Sequence, residues 1–228
     1  MRGFCPFNIP ISQSEKNKIE DESKLIARTP EAFAKSGIDV KLHTRVEAIL
    51  PDQGKVELDA GGSVPFDHLV VATGANARRL GVPGEDLEGI FCLRNVTDAV
   101  RIRRFIEERR AGRAVVVGAG LVSLEMCEAF RRLELETTLV YRGELPMHRI
   151  GDDFAQKVLQ ELEGNGVAFM GSTALQGFER ASNQGIVIHT SNGSLETDIV
   201  LLGIGVVPAV TLASEAGLAL GATGAIAV

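Results

Sequence analysis

Apolar and polar positions along the chain repeat with two periods. Runs at 38–42, 45–50, 55–58, 68–72, 90–93, 114–117 and 137–141 are alternating or continuously apolar and are bounded by turn residues, which predicts strands. Helical spacing instead joins Ile102, Phe105 and Ile106, then Val122, Met126, Ala129 and Leu133, then Phe154, Val158, Leu159 and Leu162, and predicts the inward faces of three helices. Thr29 followed by Pro30 predicts a capped helix ending at Ser36-Gly37. The two periods meet at residues 114–125, Ala-Val-Val-Val-Gly-Ala-Gly-Leu-Val-Ser-Leu-Glu, where a β-branched run enters Gly118-Ala-Gly120 and a helical pattern follows at once. A strand, tight glycine turn and helix in that order bring backbone N–H groups and a helix N-terminus against a pyrophosphate. Ser123 stands where the fingerprint has its third glycine, and it is small enough to keep helix and strand close.

The same signals occur twice. Gly166-Val167 opens a strand as Gly37-Ile38 does, and turn clusters at 182–185 and 191–194 answer those at 51–54 and 60–63. Asp198 to Gly205 has the length of Asp67 to Gly74. In the second copy a complete βαβα unit precedes Gly166, whereas the first has no strand followed by Gly-x-Gly, so the chain reads as truncated at its N-terminus. The predicted fold is α/β: a Rossmann-like, doubly wound parallel sheet plus an antiparallel β-meander, with one complete and one partial nucleotide domain. A Pro/Gly-rich connector at 81–89 puts the division into domains at 1–93 and 94–205, with 206–228 returning toward the first.

Composition narrows the function. Of 228 residues 45 % are apolar and 24 % charged, ordinary for a globular protein, and the net charge of −6 argues against nucleic acid or an anionic membrane as partner. The arginines at 101–113 alternate with Glu107 and Glu108 and form the wet face of a core helix. No run reaches membrane-spanning length and the first residues lack a signal-peptide layout, which predicts a cytoplasmic protein. Cys5, Cys92, Cys127 and the four histidines show no metal-ligand spacing, so no metal is expected. A short-chain dehydrogenase is excluded, because Leu145 stands four residues after the only tyrosine, Tyr141, where a Tyr-x-x-x-Lys base needs lysine.

Four ordered stretches carry a resemblance: Leu69-Val-Val-Ala-Thr73-Gly74; Val82-Pro-Gly84 through Asp98-Ala99; Val117 through Glu125; and Leu202-Gly203-Ile-Gly205-Val-Val-Pro208. Together they resemble the FAD- and NAD(P)-dependent pyridine nucleotide-disulfide oxidoreductases, especially the branch of coenzyme A-disulfide reductases and NADH oxidases. The resemblance implies two dinucleotide domains, the first for FAD and the second for NAD(P)H, with hydride passing from nicotinamide to flavin and on to a disulfide, peroxide, oxygen or electron carrier. It also implies that the family's FAD turn and its C-terminal dimerisation domain lie outside this sequence, the parent family being homodimeric. A flavin-free NAD(P)H-binding module without turnover is the alternative expectation for a chain so shortened.

The same resemblance implies roles for particular residues. Gly118, Gly120, Leu121 and Ser123 match the pyrophosphate turn, Glu125 the glutamate near the nicotinamide, and Gly203 and Gly205 positions lining the nicotinamide side. Tyr141 and Arg142 fall where the ribose 2′ position is read; with no carboxylate there, NADPH is admitted. Val46, Thr73 and Gly74 match FAD contacts, and Cys5 lies near the family's redox cysteine. Cys92 and Cys127 read as small apolar fillers.

Overall fold

The computed structural model describes residues 26–182 and 184–228, which divide into two compact units. One holds residues 26–76 and Val206–Val228, the other Ala77–Gly205, and Cys5 lies outside the described residues.

In the unit of residues 26–76 and Val206–Val228, helix α1 (Pro30–Ala34) starts as predicted, with Thr29 Oγ1 accepting the Ala32 N–H at 3.4 Å and Pro30 in the first turn. Strands β1 (Val46–Leu50), β2 (Lys55–Leu58) and β3 (Ser63–Pro65) form an antiparallel meander, β1 and β2 joined through Gly54 at φ +57°. Strand β4 (Ala75–Ala77) follows. The core is small: Ile49, Val56 and Ala213 are buried here.

Two predicted strands are not formed. Residues 38–42 and 68–72 run without ladder partners among the described residues, and Ile38, Leu42, Leu69 and Val70 are exposed, Val70 by 88 %. An apolar run becomes a strand only where a neighbour takes its N–H and C=O groups.

The unit of Ala77–Gly205 is built on a five-stranded parallel sheet. In chain order it runs β5 (Ile90–Phe91), α2 (Val96–Arg109), β6 (Arg113–Val117), α3 (Leu121–Arg132), β7 (Glu136–Val140), α4 (Asp152–Gly164) and β8 (Val167–Met170). An antiparallel meander follows, β9 (Leu175–Arg180), β10 (Ile186–Thr190) and β11 (Gly193–Thr197), and β12 (Ile199–Leu202) re-enters the sheet between β5 and β6. The register sets Leu202 beside Val117, Val117 beside Val140 and Val140 beside Met170, so these strands end level. Residues of the first unit resume with β13 (Val206–Pro208), paired to β4, and α5 (Thr211–Glu215), which packs on β1. Near the end of the chain Leu220 and Ile226 form an isolated antiparallel bridge.

Both faces of the parallel sheet are covered, which is why its strands read as unbroken apolar runs. Ala114, Val116, Leu139, Ile199 and Leu201 face Ile102 and Ile106 of α2 and Cys127 and Phe130 of α3. Val115, Val117, Val140, Val200 and Leu202 face Phe178, Ile186 and Ile188 of the meander. Helix α2 keeps the predicted stripe of Ile102, Phe105 and Ile106 and opens with a capping box between Asn95 and Asp98.

The inward stripe of α3 is one residue off the prediction. Ser123, Cys127 and Phe130 are buried, while Val122 is 39 % exposed. Small Ser and Cys side chains bring this helix close to the sheet and rotate Val122 outward. In α4 the buried residue is Ala155, and Phe154, predicted inward, is exposed.

The connector at 81–89 and the short strand after it, counted with the first domain by sequence, pack within the unit of the parallel sheet. Phe178 N–H bonds to Pro83 O at 2.8 Å, a Cβ on Gly84 would stand 2.1 Å from Phe178 O, and Val82, Leu87, Ile90 and Cys92 join the meander-side core. Buried Glu85 fixes the connector, accepting the N–H groups of Leu80 and Gly81 and pairing with Arg79.

Candidate functional site

The site grows from the C-terminal ends of β6, β7 and β12. After Val117 the backbone turns at Gly118, whose φ of +99° is left-handed and whose N–H bonds to Val140 O at 2.9 Å. A Cβ here would lie 2.5 Å from Gly203 O, so both conformation and neighbour demand glycine. Gly203 in turn donates its N–H to Val117 O at 2.8 Å and accepts from the Ser123 hydroxyl at 3.2 Å. Its own Cβ would meet Ser123 Oγ at 2.1 Å. Gly118, Ser123 and Gly203 are therefore one packing contact, with Ser123 fully buried. The reason for Gly203 is the helix behind it. Gly205 has a different reason, a φ of +95° with open space around it.

Gly120 differs from both. It caps α3 with an extended φ of −90°, which any residue adopts, and nothing stands within 4 Å of a Cβ placed on it. Protein packing does not require a glycine there; space in front of the helix does. No side chain among the described residues caps α3, and its first bond is Leu124 N–H to Gly120 O. The N–H groups of the first turn thus face outward, and no acidic residue sits among them. Such an N-terminus could hold an anion, and the residues present fit the pyrophosphate of a dinucleotide. Leu121 and Val122 lie exposed beside it.

Glu125, one turn further on, is half-buried and lines a groove between α3 and α4 with Leu124, Glu128 and Val158. Tyr141 follows β7 directly and is half-buried, its ring packed on the helix-side core, and Arg142 is exposed. The structure adds a neighbour that spacing does not show: His148 Nδ1 stands 3.0 Å from the Tyr141 hydroxyl, brought back by a short helical turn, His148–Ile150, behind Met147 at φ +55°.

The residues matched to FAD lie apart in sequence from this turn. Thr73 donates its hydroxyl to Ala209 O at 2.6 Å, Gly74 has φ +70° and accepts from Ala209 N–H, and Val46 begins β1 at an irregularity of the ladder.

Neither described cysteine is poised as a thiolate. Burial pushes Cys127 up to about 12; for Cys92 burial raises the thiol, Arg79 lowers it, and Glu85 and Asp98 add to the rise. Among the described residues no His, Cys, Asp or Glu cluster could hold a metal, and no helix is long and apolar enough to cross a membrane.

Comparison with known proteins decides the family. The pyridine nucleotide-disulphide oxidoreductase family matches residues 3–228. The chain belongs to that family. A relative in Pyrococcus abyssi, described as a CoA-dependent NAD(P)H sulfur oxidoreductase, is 34 % identical, covering 91 % of this chain and 47 % of its own length. The rubredoxin-NAD(+) reductase of Pseudomonas putida is 28 % identical over 92 % of this chain and 54 % of its own. Among solved structures, an engineered water-forming NADPH oxidase bound to NADPH has a TM-score of 0.82 at 27 % identity, covering 90 % of this chain and 46 % of its own. The chain thus spans about half the length of the curated relatives it matches.

Proposed function

We propose that this chain carries the NAD(P)H-binding half of a flavin-dependent NAD(P)H oxidoreductase of the cytoplasm. Its acceptor would be a small molecule such as a disulfide, peroxide or oxygen, or a small redox protein. One observation carries the reading: an uncapped α3 N-terminus behind Gly120, whose missing side chain leaves the space a pyrophosphate needs. Gly118, Gly120 and Leu121 bring backbone N–H groups to the nucleotide, and Ser123 and Gly203 hold helix and strand at the distance this requires. Gly205 continues the backbone toward the nicotinamide side, and Glu125 is the carboxylate assigned to it. FAD, when bound, would supply the two-electron redox chemistry that links NAD(P)H to the acceptor.

The nucleotide preferred is NADPH. Tyr141 and Arg142 replace the acidic residue that would repel a 2′-phosphate. The engineered NADPH oxidase is described by five replacements: glycine by alanine, aspartate by alanine, alanine by arginine, methionine by serine and proline by arginine. With the same gaps and starting at Ser123, they fall on Ser123, Tyr141, Arg142, Gly143 and His148. This chain likewise lacks the first glycine and the aspartate and has arginine at the third place.

FAD enters the reading through the family alone. Among the described residues the unit of Val46, Thr73 and Gly74 has no strand, glycine turn and helix in succession, and these residues do not by themselves build a flavin cradle. Cys5 is assigned to acceptor chemistry on the same family ground. A flavin-free NAD(P)H-binding module is accordingly the second reading for the chain as it stands. The visible absorption spectrum of the purified protein with added FAD separates the two: flavin bands that co-elute with the protein support the oxidoreductase, and a colourless protein that still binds NADPH leaves the module. A protein that binds neither nucleotide overturns both.

A further inference from the structure

Outside the residues assigned to the nucleotide, the antiparallel meander of β9, β10 and β11 joins a serine, a histidine and a glutamate by hydrogen bonds. Alternation along β10, the central strand, decides which face they share. Ile186 and Ile188 are buried against the parallel sheet, so Val187 and His189 point the other way. The register sets Ser194 of β11 directly opposite His189 on one side and Gly177 of β9 opposite it on the other. Gly177 has no side chain to fill the place beside the ring, and Glu179, opposite Val187, reaches the ring along the diagonal. His189 Nδ1 stands 3.0 Å from Ser194 Oγ, and Nε2 stands 3.3 Å from Glu179 Oε2. Ser194 and Glu179 are exposed and the imidazole is 42 % exposed, so a small molecule in solution can reach all three.

The ring has three possible states. A neutral ring with its hydrogen on Nδ1 would turn a bare Nε2 lone pair toward a carboxylate that can only accept, which is a repulsive contact. A neutral ring with its hydrogen on Nε2 donates to Glu179 and accepts the Ser194 hydroxyl at Nδ1, so that both contacts become bonds. The imidazolium donates from both nitrogens and leaves the serine oxygen as an acceptor. Of the two neutral rings Glu179 therefore selects the one whose lone pair is aimed at a hydroxyl.

We infer that Ser194 is a nucleophile for acyl transfer, with His189 as its general base and Glu179 as the positioning residue that fixes the ring. A nucleophile, a base and an orienting group in hydrogen-bond reach of one another are what this chemistry uses. The ring is turned end for end relative to the serine protease order, since here Nδ1 takes the proton and Nε2 faces the acid. Ser194 Oγ bonds to the acyl carbon, its proton passes to Nδ1, and the donor's bond to its leaving group breaks with the electron pair going to that group. The proton on Nδ1 then goes to the leaving group or to solvent. Water attacks the acyl-serine in turn, passes a proton through Nδ1 to Oγ, and releases the carboxylic acid. Because the face is open, the substrate class is small acyl donors with good leaving groups, aryl esters and thioesters, which need an activated hydroxyl more than an enclosing oxyanion site.

The test is acetylation of the whole chain by p-nitrophenyl acetate at pH 8, and it is independent of nucleotide binding. Absorbance follows p-nitrophenolate, tandem mass spectrometry locates O-acetyl groups, and thermal melts check folding. Ser194 should be acetylated faster than Ser191, which is also exposed but donates its hydroxyl to Asn192 Oδ1 instead of to a base. His189→Ala should slow acetylation of Ser194 by about a hundredfold, the lower end of what a positioned base contributes. Glu179→Ala should give a smaller loss, and Glu179→Gln, which keeps an acceptor oxygen, should recover part of it. Nitrogen-15 NMR of the neutral ring should show the hydrogen of His189 on Nε2 in the unaltered chain and a mixture of tautomers in Glu179→Ala. Acetylation of Ser194 no faster than that of Ser191, a rate unchanged in a folded His189→Ala, or a neutral ring with its hydrogen on Nδ1 would each overturn the assignment.

Discussion

Gly203→Ala is the sharpest test of how the turn is built. The added methyl would begin 2.1 Å from Ser123 Oγ and 3.3 Å from Ser123 Cβ. The hydroxyl can escape only by rotating away, which breaks its bond to Gly203 O in a fully buried place. Loss of such a bond together with a tight Cβ contact costs about 1–3 kcal/mol. For a chain of this size that lowers the midpoint of thermal unfolding by about 2–4 °C per kcal/mol. Circular dichroism melts measure it, and Ser123→Ala in the same chain supplies the control by removing the oxygen. The double variant should be more stable than Gly203→Ala alone. If Gly203→Ala melts like the unaltered protein, or if removing the Ser123 oxygen gives no recovery, the packing account of Gly203 is wrong.

Three other outcomes follow from the same structure. Arg142→Glu should weaken NADPH more than NADH by about 1–3 kcal/mol in paired titrations, and equal losses would remove Arg142 from the 2′ position. For Asp198, partial burial would raise the carboxyl, but bonds from the Arg113 guanidinium and from the Gly112 and Arg113 N–H groups outweigh it and hold it below its ordinary value of 3.8. A depressed carboxylate stabilises the fold above its unfolded value, and that contribution is lost as pH falls through the folded one; Asp198→Asn should therefore flatten the decline in melting temperature below about pH 4, and an unchanged acid limb would count against the pair. Cys127, pushed up to about 12 and fully buried, should resist a maleimide at pH 8 in the folded protein and react once urea unfolds it; rapid native labelling at Cys127, read by peptide mass spectrometry, would contradict its burial.

What the sequence disclosed and what it hid have separate physical causes. Residues 114–120 were legible because a strand buried on both faces, a left-handed glycine and a helix start each leave a local mark. The rotation of α3 was not, since Val122-Met126-Ala129-Leu133 and Ser123-Cys127-Phe130 are both acceptable stripes, and the choice between them is made by how closely the sheet admits the helix. Residues 38–42 and 68–72 have strand composition, but pairing is a property of neighbours and not of the run itself. Gly203 was recognisable as a constrained glycine for a reason that only Ser123, eighty positions away, makes visible. His148 carried no signal at all, because a seven-residue return to Tyr141 depends on the left-handed Met147 and on a turn that no periodicity encodes.

The central claim is that Gly118 to Leu121 hold the nicotinamide dinucleotide, and Gly120→Val tests it most directly. The protein leaves that position open, so the variant should melt as the unaltered chain does while a valine side chain fills the pyrophosphate space. Titration with NADPH, followed by nicotinamide fluorescence, should show saturable binding to the unaltered chain and none to the variant. Equal binding by a folded Gly120→Val would contradict the account.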